Sequence, residues 1–98
     1  MKQPAVYILA NKKNGTLYTG VTSNLIQRVF QHKYQMTEGF SVKYACKNLV
    51  YFESYETMEQ AITREKQIKS GSRKKKLSLI ESLNPKWEDL YENICNDL

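Results

Sequence analysis

Two runs of β-branched, aromatic and small residues, Ala5 to Ala10 and Thr16 to Val21, flank the polar segment Asn11 to Gly15, which ends on an Asn-Gly pair. Such runs around such a pair predict a β-hairpin. Side chains alternate faces along a strand, so the parity of the loop decides which of them meet. An even loop, either Asn14-Gly15 alone or the four residues from Lys12 to Gly15, collects Val6, Ile8, Leu17 and Val21 on one face. Tyr7, Tyr18 and Gly20 then share the other. The apolar set needs a core, so the pattern favours the even loop and, with it, two phenols on one face.

Beyond the hairpin, Thr22, Ser23 and Asn24 supply an N-cap, and Asn24 and Gln27 are spaced as a capping box. They open a helix to about Tyr34 with Leu25, Ile26, Val29 and Phe30 as its buried stripe. Residues 35–48 show no clean period and read as a loop. The stretch LVYFESY at 49–55 is strand-like by its aromatic and β-branched content. A second capping box, Thr57 with Gln60, opens a helix to about Lys69 that Ser70-Gly71-Ser72 ends. Ser72 can cap another helix, whose Leu77, Leu79, Ile80 and Leu83 lie behind the basic run Arg73 to Lys76 and which Asn84-Pro85 stops. The tail predicts a last short helix packing Trp87, Leu90, Tyr91 and Ile94. The order is ββαβαα plus a short C-terminal helix, an α+β fold with an antiparallel sheet.

The length, 98 residues, suits one domain spanning 1–98 with a single modest core. Fifteen Lys and Arg against ten Asp and Glu give a net charge of +5, which leans towards a polyanionic partner. The basic run at 73–76, with Lys12 and Lys13, offers contacts to a nucleic-acid backbone; it reads equally as a solvated helix start. Cys46 and Cys95 stand far apart without neighbouring ligands, which removes CxxC metal and redox motifs. No apolar run approaches the roughly 20 residues that span a bilayer, and the start is too short in apolar residues for a signal peptide. A cytoplasmic protein without membrane contact is expected.

Some residues break their local pattern. In the helix opened by Thr57 the apolar stripe is Met58, Ala61, Ile62 and Ile68, and Glu65 falls on it. A carboxylate there must be paired, hydrogen-bonded or bound to a cation, and Arg64 or Lys69 could pair it at the stripe's edge. On the first helix Arg28 and His32 lie four apart on one face. An arginine offers bidentate donors to phosphate, and an imidazole titrates near neutral pH; a solvated helix edge is the plainer alternative. His32 is the only histidine, which excludes zinc held by several histidines. Two phenols, an arginine, a histidine and an acid form a set suited to phosphodiester hydrolysis, which needs a base for water, positive charge near phosphate and, usually, a divalent cation. A tyrosine serves as base if a cation or imidazole lowers its pKa from about 10.

The sequence resembles the GIY-YIG endonuclease superfamily, and within it the small single-domain bacterial proteins that are similar to the GIY-YIG part of the repair excinuclease. AVY at 5–7 stands where the family has GIY, and YTG at 18–20 where it has YIG; VTSNLIQRVFQH is similar to the family's arginine- and histidine-bearing helix. GFSVKYACKNLVYFE, AITREKQIK and LNPKWEDLY resemble the small bacterial branch. Ala5 replaces the first motif glycine and Thr19 the isoleucine.

The resemblance implies a three-stranded antiparallel sheet flanked by helices. It implies a catalytic set of Tyr7, Tyr18, Arg28, His32 and Glu65. Tyr7 or Tyr18 would activate water with help from His32, Arg28 would hold the scissile phosphate, and Glu65 would be the sole protein ligand of a Mg²⁺ or Mn²⁺ ion. Gly20 would be required by close backbone approach, and Asn84 stands for the family's asparagine, at a distance from Glu65 that differs between branches. The expected activity is metal-dependent endonucleolytic hydrolysis of DNA in repair or processing, with Gly20, Lys12, Lys13, Asn84, Arg73 and Lys74 on the substrate. RNA stays open as a partner, and so does the oligomeric state. A nucleic-acid-binding module of the same fold that cleaves weakly or not at all is the alternative. A protein-interaction adaptor using Phe40, Tyr44 and Trp87 has less support, since those aromatics suit the core and the loop beneath it.

Overall fold

The computed structural model describes residues 3–36 and 39–96. The ends of the expected 1–98 domain, Thr37 and Glu38 of the expected loop, and the side chain of Phe40 lie outside the described residues. Strands β1 (Ala5–Ala10) and β2 (Leu17–Thr22) form the hairpin. Helix α1 (Leu25–Lys33), a single turn α2 (Phe40–Lys43), β3 (Asn48–Ser54), α3 (Met58–Ser70), α4 (Arg73–Leu83) and α5 (Tyr91–Asn96) follow. The sheet order is β2-β1-β3, and both pairings are antiparallel.

The hairpin loop is even. Gly15 N–H donates to the Lys12 carbonyl at 3.0 Å and Asn11 N–H to that of Thr16 at 3.3 Å, which closes the four-residue turn Lys12 to Gly15. Asn14 takes the left-handed conformation there, φ 58°, as asparagine tolerates. Tyr7 therefore faces Gly20, and Leu9 faces Tyr18. Both tyrosines lie on one face of the sheet.

Helices cover both faces. Val6, Ile8 and Ala10 point to α3 and α4, packing with Ala61, Ile68, Ile80 and Trp87. Tyr7 and Leu9 point to α1 and α5, with Val29, Cys46, Leu49 and Ile94. Because neither face of β1 meets water, its six residues are all buried. A bulge in β3 serves both cores. Ile8 faces Tyr51 while Leu9 faces Leu49, so Val50 is the extra residue and joins Tyr51 on the α3/α4 side.

Local caps account for the helix starts. Asn24 Oδ1 accepts from Gln27 N–H at 3.2 Å. The reciprocal half of that expected box is absent, because Asn24 N–H is taken by Thr22 Oγ1 at 3.0 Å. The Thr57/Gln60 box is complete, and Ser72 caps α4 through Lys75 N–H. Other expectations need correction too: Phe30, expected on the buried stripe of α1, is 43% exposed. The loop over 35–48 contains the helical turn α2. Ile62, expected in the core, is 37% exposed, since Ala61 and Ile68 make the contact with the sheet. The last helix begins only at Tyr91, after Trp87 adopts φ 57°.

The segment between α4 and α5 is shaped by Asn84 and Asp89. Asn84 Nδ2 donates to the carbonyls of Val50 at 3.2 Å and Glu88 at 2.7 Å, and Oδ1 accepts from Glu88 N–H at 3.0 Å. Asp89 Oδ1 accepts from Leu49 N–H at 3.1 Å, and Leu90 N–H donates to the Leu49 carbonyl at 2.8 Å. Peptide groups that a bulge and an edge strand leave outside the ladder are thereby satisfied. The chain crosses the β3 edge here, carrying Trp87 on one face and Leu90, Tyr91 and Ile94 on the other.

Candidate active site

The chemistry-bearing residues of the hairpin and α1 converge. Tyr7, 1% exposed, and His32 Nε2 share a buried hydrogen bond of 3.1 Å, in which the imidazole tautomer sets the donor. Ring centroids lie 6.3 Å apart for Tyr7 and Tyr18, 5.8 Å for Tyr7 and His32, and 5.2 Å for Tyr18 and His32. The β1–β2 register presents the phenols, and α1 delivers His32 one turn beyond Arg28, whose side chain stays at the exposed surface.

Gly20 explains how the Tyr7 ring fits. A Cβ built on it would stand 2.4 Å from the Tyr7 hydroxyl oxygen and 2.5 Å from Cζ. The ring lies directly across the Gly20 backbone, so this glycine is buried packing space for Tyr7.

Glu65 approaches from α3, the helix that packs on β2 and β1. Its side chain is 15% exposed, and an oxygen lies 3.2 Å from Lys69 Nζ, one helical turn away. Lys69 is the partner anticipated for it. Arg64, the other candidate, turns to Glu53, with Nε to Oε1 at 2.9 Å and Nη2 to Oε2 at 3.2 Å. The Tyr55 hydroxyl donates to Glu53 Oε1 at 2.6 Å, and the Tyr51 hydroxyl donates to Oε2. This β3–α3 hub fixes α3 against the sheet, and sequence reasoning missed it. The period-two alternation Tyr51, Glu53, Tyr55 was its available signal.

Charge and burial act together on the cluster. Burial is the largest cause lifting the Tyr7 phenol well above its ordinary pKa; Tyr18 and Glu65 raise it further, and Arg28 pulls it down. Burial, then Arg28, hold His32 below its usual 6.5. At neutral pH Tyr7 is protonated and His32 is neutral.

Among the described residues no group of three His, Cys, Asp or Glu side chains could enclose a metal. A hard cation such as Mg²⁺ needs less, since it binds through one or two carboxylates, keeps several waters and takes phosphate oxygens. Glu65 fits that pattern, because its partner Lys69 is 53% exposed and can turn into water.

Asn84, expected on the substrate, is corrected. It is 6% exposed, and both polar atoms of its side chain are engaged inside the fold. Arg73, also expected there, commits Nη2 to the carbonyls of Asn14 and Gly15. Lys12, Lys13 and Lys74 are exposed around that contact. Trp87 is buried in the core, and Tyr44 is 41% exposed. No helix among the described residues is long and apolar enough to cross a membrane.

A three-stranded antiparallel sheet whose first two strands carry paired tyrosines beside an arginine–histidine helix is the arrangement that the resemblance to a nuclease domain implies. The chain belongs to the GIY-YIG family: the model of the GIY-YIG catalytic domain matches residues 3–78. It is similar to a UPF0213 protein of Clostridium perfringens, 41% identical over 95 residues that span 93% of this chain and 96% of the relative. A UPF0213 protein of Staphylococcus saprophyticus is 35% identical over 80 residues, covering 82% and 96%. The solution NMR structure of a UPF0213 protein from Bacillus halodurans superposes with a TM-score of 0.56 at 28% identity, covering 92% of this chain and 95% of that one.

Proposed function

We propose that the protein is an endonuclease that hydrolyses phosphodiester bonds of DNA with Mg²⁺ or Mn²⁺, in DNA repair or processing in the cytoplasm. The observation that carries this reading is the buried Tyr7–His32 hydrogen bond, with the Tyr18 ring packed beside both residues.

In this reading Arg28 seats the scissile phosphate through charge-assisted hydrogen bonds. Tyr7 takes a proton from the attacking water at its hydroxyl oxygen as its own proton passes to His32 Nε2. His32 accepts more readily once phosphate offsets the Arg28 charge that lowers its pKa. Tyr18 orients the Tyr7 hydroxyl. Glu65 would hold the divalent ion, which when bound polarises the phosphoryl oxygens and offsets the carboxylate charge facing Tyr7.

The test is cleavage of labelled single-stranded, nicked and branched DNA with Mg²⁺ or Mn²⁺. Wild type cleaves, and Tyr7→Phe or Glu65→Ala lowers the rate by about 10²–10⁴-fold. Absence of cleavage by wild type, or equal cleavage by Glu65→Ala, rejects the assignment. The second reading, a non-catalytic nucleic-acid-binding module, draws on the Glu65–Lys69 ion pair, which occupies the carboxylate in the resting protein. It predicts salt-dependent binding by wild type and Glu65→Ala alike, without cleavage.

A further inference from the structure

Two basic segments far apart in sequence are fastened together. Arg73 Nη2, at the start of α4, donates to the carbonyls of Asn14 at 2.9 Å and Gly15 at 2.6 Å, across separations of 59 and 58 residues. The hairpin turn it grips is itself ordered, with Thr16 N–H donating to Asn11 Oδ1 at 2.9 Å besides its two backbone bonds. Lys12 and Lys13 project from that turn, and Lys74 and Lys75 follow Arg73; all four are exposed. Neither 11–16 nor 72–80 contains an Asp or Glu. Like charges collected on one ridge repel one another, so this contact works against the protein's own electrostatics unless a polyanion lies across it.

The ridge stands at a fixed distance from the cluster. Gly20, opposite Tyr7, is five residues from Gly15, the end of the turn that Arg73 grips, about 16 Å at 3.3 Å per residue. Along α3, Lys69 lies one turn beyond Glu65 in the direction of Arg73, about 6 Å further on. Phosphates of one strand of a duplex advance by about 3.4 Å each, so roughly five of them bridge the cluster and the ridge.

We propose that the hairpin turn and the first turn of α4, joined by Arg73, form a second grip on the nucleic-acid backbone, roughly five phosphates to one side of the bond cleaved. Arg73 is the positioning residue of this grip, and Lys12, Lys13, Lys74 and Lys75 make the contacts. The identity of the polyanion rests on the nuclease reading; the existence and place of the grip do not require catalysis.

The experiment measures binding of a labelled DNA duplex between roughly 50 and 200 mM salt, for the wild type, Lys13→Gln/Lys74→Gln, Arg73→Gln and Lys86→Gln. Lys86, exposed beyond the far end of α4, controls for loss of charge alone. The double variant weakens binding roughly 60-fold near 0.1 M salt and flattens the log–log salt slope by about 1.8. Arg73→Gln, which also frees the turn, weakens it by more than the roughly tenfold expected for one charge. Lys86→Gln changes neither quantity. In a cleavable duplex, trimming one end to within about three phosphates of the scissile bond abolishes the difference between wild type and the double variant, and trimming the other end does not.

If wild type binds and cleaves DNA while the double variant behaves as Lys86→Gln, the grip is wrong and the nuclease reading stands. If the double variant weakens binding and wild type never cleaves, the grip stands without that reading. If wild type binds no nucleic acid, both are overturned.

Discussion

Alanine at Gly20 tests the geometry of the cluster directly. Carbon atoms in good contact sit about 3.5–4.0 Å apart, whereas the new Cβ would be 2.4 Å from the Tyr7 hydroxyl oxygen and 2.5 Å from Cζ. Relief therefore needs a ring displacement of about 1 Å or more. The ring is 1% exposed, with His32 and Tyr18 packed beside it. Forcing extra volume into such a site costs about 1–3 kcal/mol, which for a domain of this size lowers Tm by about 4–20 °C. A shift of that order also carries the hydroxyl beyond hydrogen-bond reach of His32 Nε2, now at 3.1 Å. In an enzyme a 1 Å misplacement lowers the rate about 10²-fold. Thermal melting followed by circular dichroism, with cleavage rates on the folded fraction, measures both effects. A cycle with Tyr7→Ala isolates the clash: in that background Gly20→Ala has little left to collide with, so the coupling is about 1–3 kcal/mol. The reasoning fails if Gly20→Ala melts with wild type, or if its cost is the same with and without the Tyr7 ring.

Asn84→Ala removes three side-chain hydrogen bonds and strands the Val50 carbonyl and the Glu88 peptide groups; at about 1–3 kcal/mol per unsatisfied buried group, urea denaturation should show a loss of about 2–5 kcal/mol. Unchanged stability with weakened DNA affinity would instead return Asn84 to the substrate. His32, the sole histidine, gives unambiguous imidazole resonances, and its NMR titration midpoint should lie below 6.5 because burial and Arg28 both lower it. The unfolded chain takes up that proton near 6.5 while the native state does not, so stability declines as pH falls from 6.5 towards the native midpoint. Arg28→Gln moves the midpoint up without reaching 6.5, since burial, the larger cause, remains; a wild-type midpoint above 6.5 contradicts the account.

Much of this was readable from local pattern. The parity argument works because one face of the hairpin must be apolar, and Val6, Ile8, Leu17 and Val21 achieve this only with an even loop, of two residues or of four. Thr57 with Gln60 and Ser72 marked helix starts because caps act within one turn of chain. Glu65 stood out on an apolar stripe for the same reason. What the pattern could not carry were contacts set by distance in the fold. The bulge at Val50 depends on β3 serving two cores at once, and the demand it creates explains why Asn84 is consumed internally although its position suggests a substrate role. Arg64 and Glu65 are neighbours in sequence, yet they face different partners, Glu53 and Lys69, because successive helix positions diverge by about 100°. The Arg73 contact with the hairpin turn has no local signature at all.

The resting electrostatics of the cluster bear on how such a site is switched on. Burial, Tyr18 and Glu65 all favour the protonated Tyr7 phenol, and Arg28 alone opposes them, while the same Arg28, after burial, disfavours protonation of His32. A free protein so arranged is a poor base at neutral pH. Two of these influences, that of Glu65 on Tyr7 and that of Arg28 on His32, belong to groups that the proposed ligands would engage. Phosphate on Arg28 lifts its penalty on His32, and a cation on Glu65 cancels the negative charge that faces Tyr7. In the proposed mechanism each ligand would therefore ease proton transfer from water through Tyr7 to His32, which couples binding to activation. The consequence is that Arg28→Gln and Glu65→Ala should not act additively on the cleavage rate, as expected for residues acting on one hydroxyl. Independent, additive losses would show that the two charges serve separate steps.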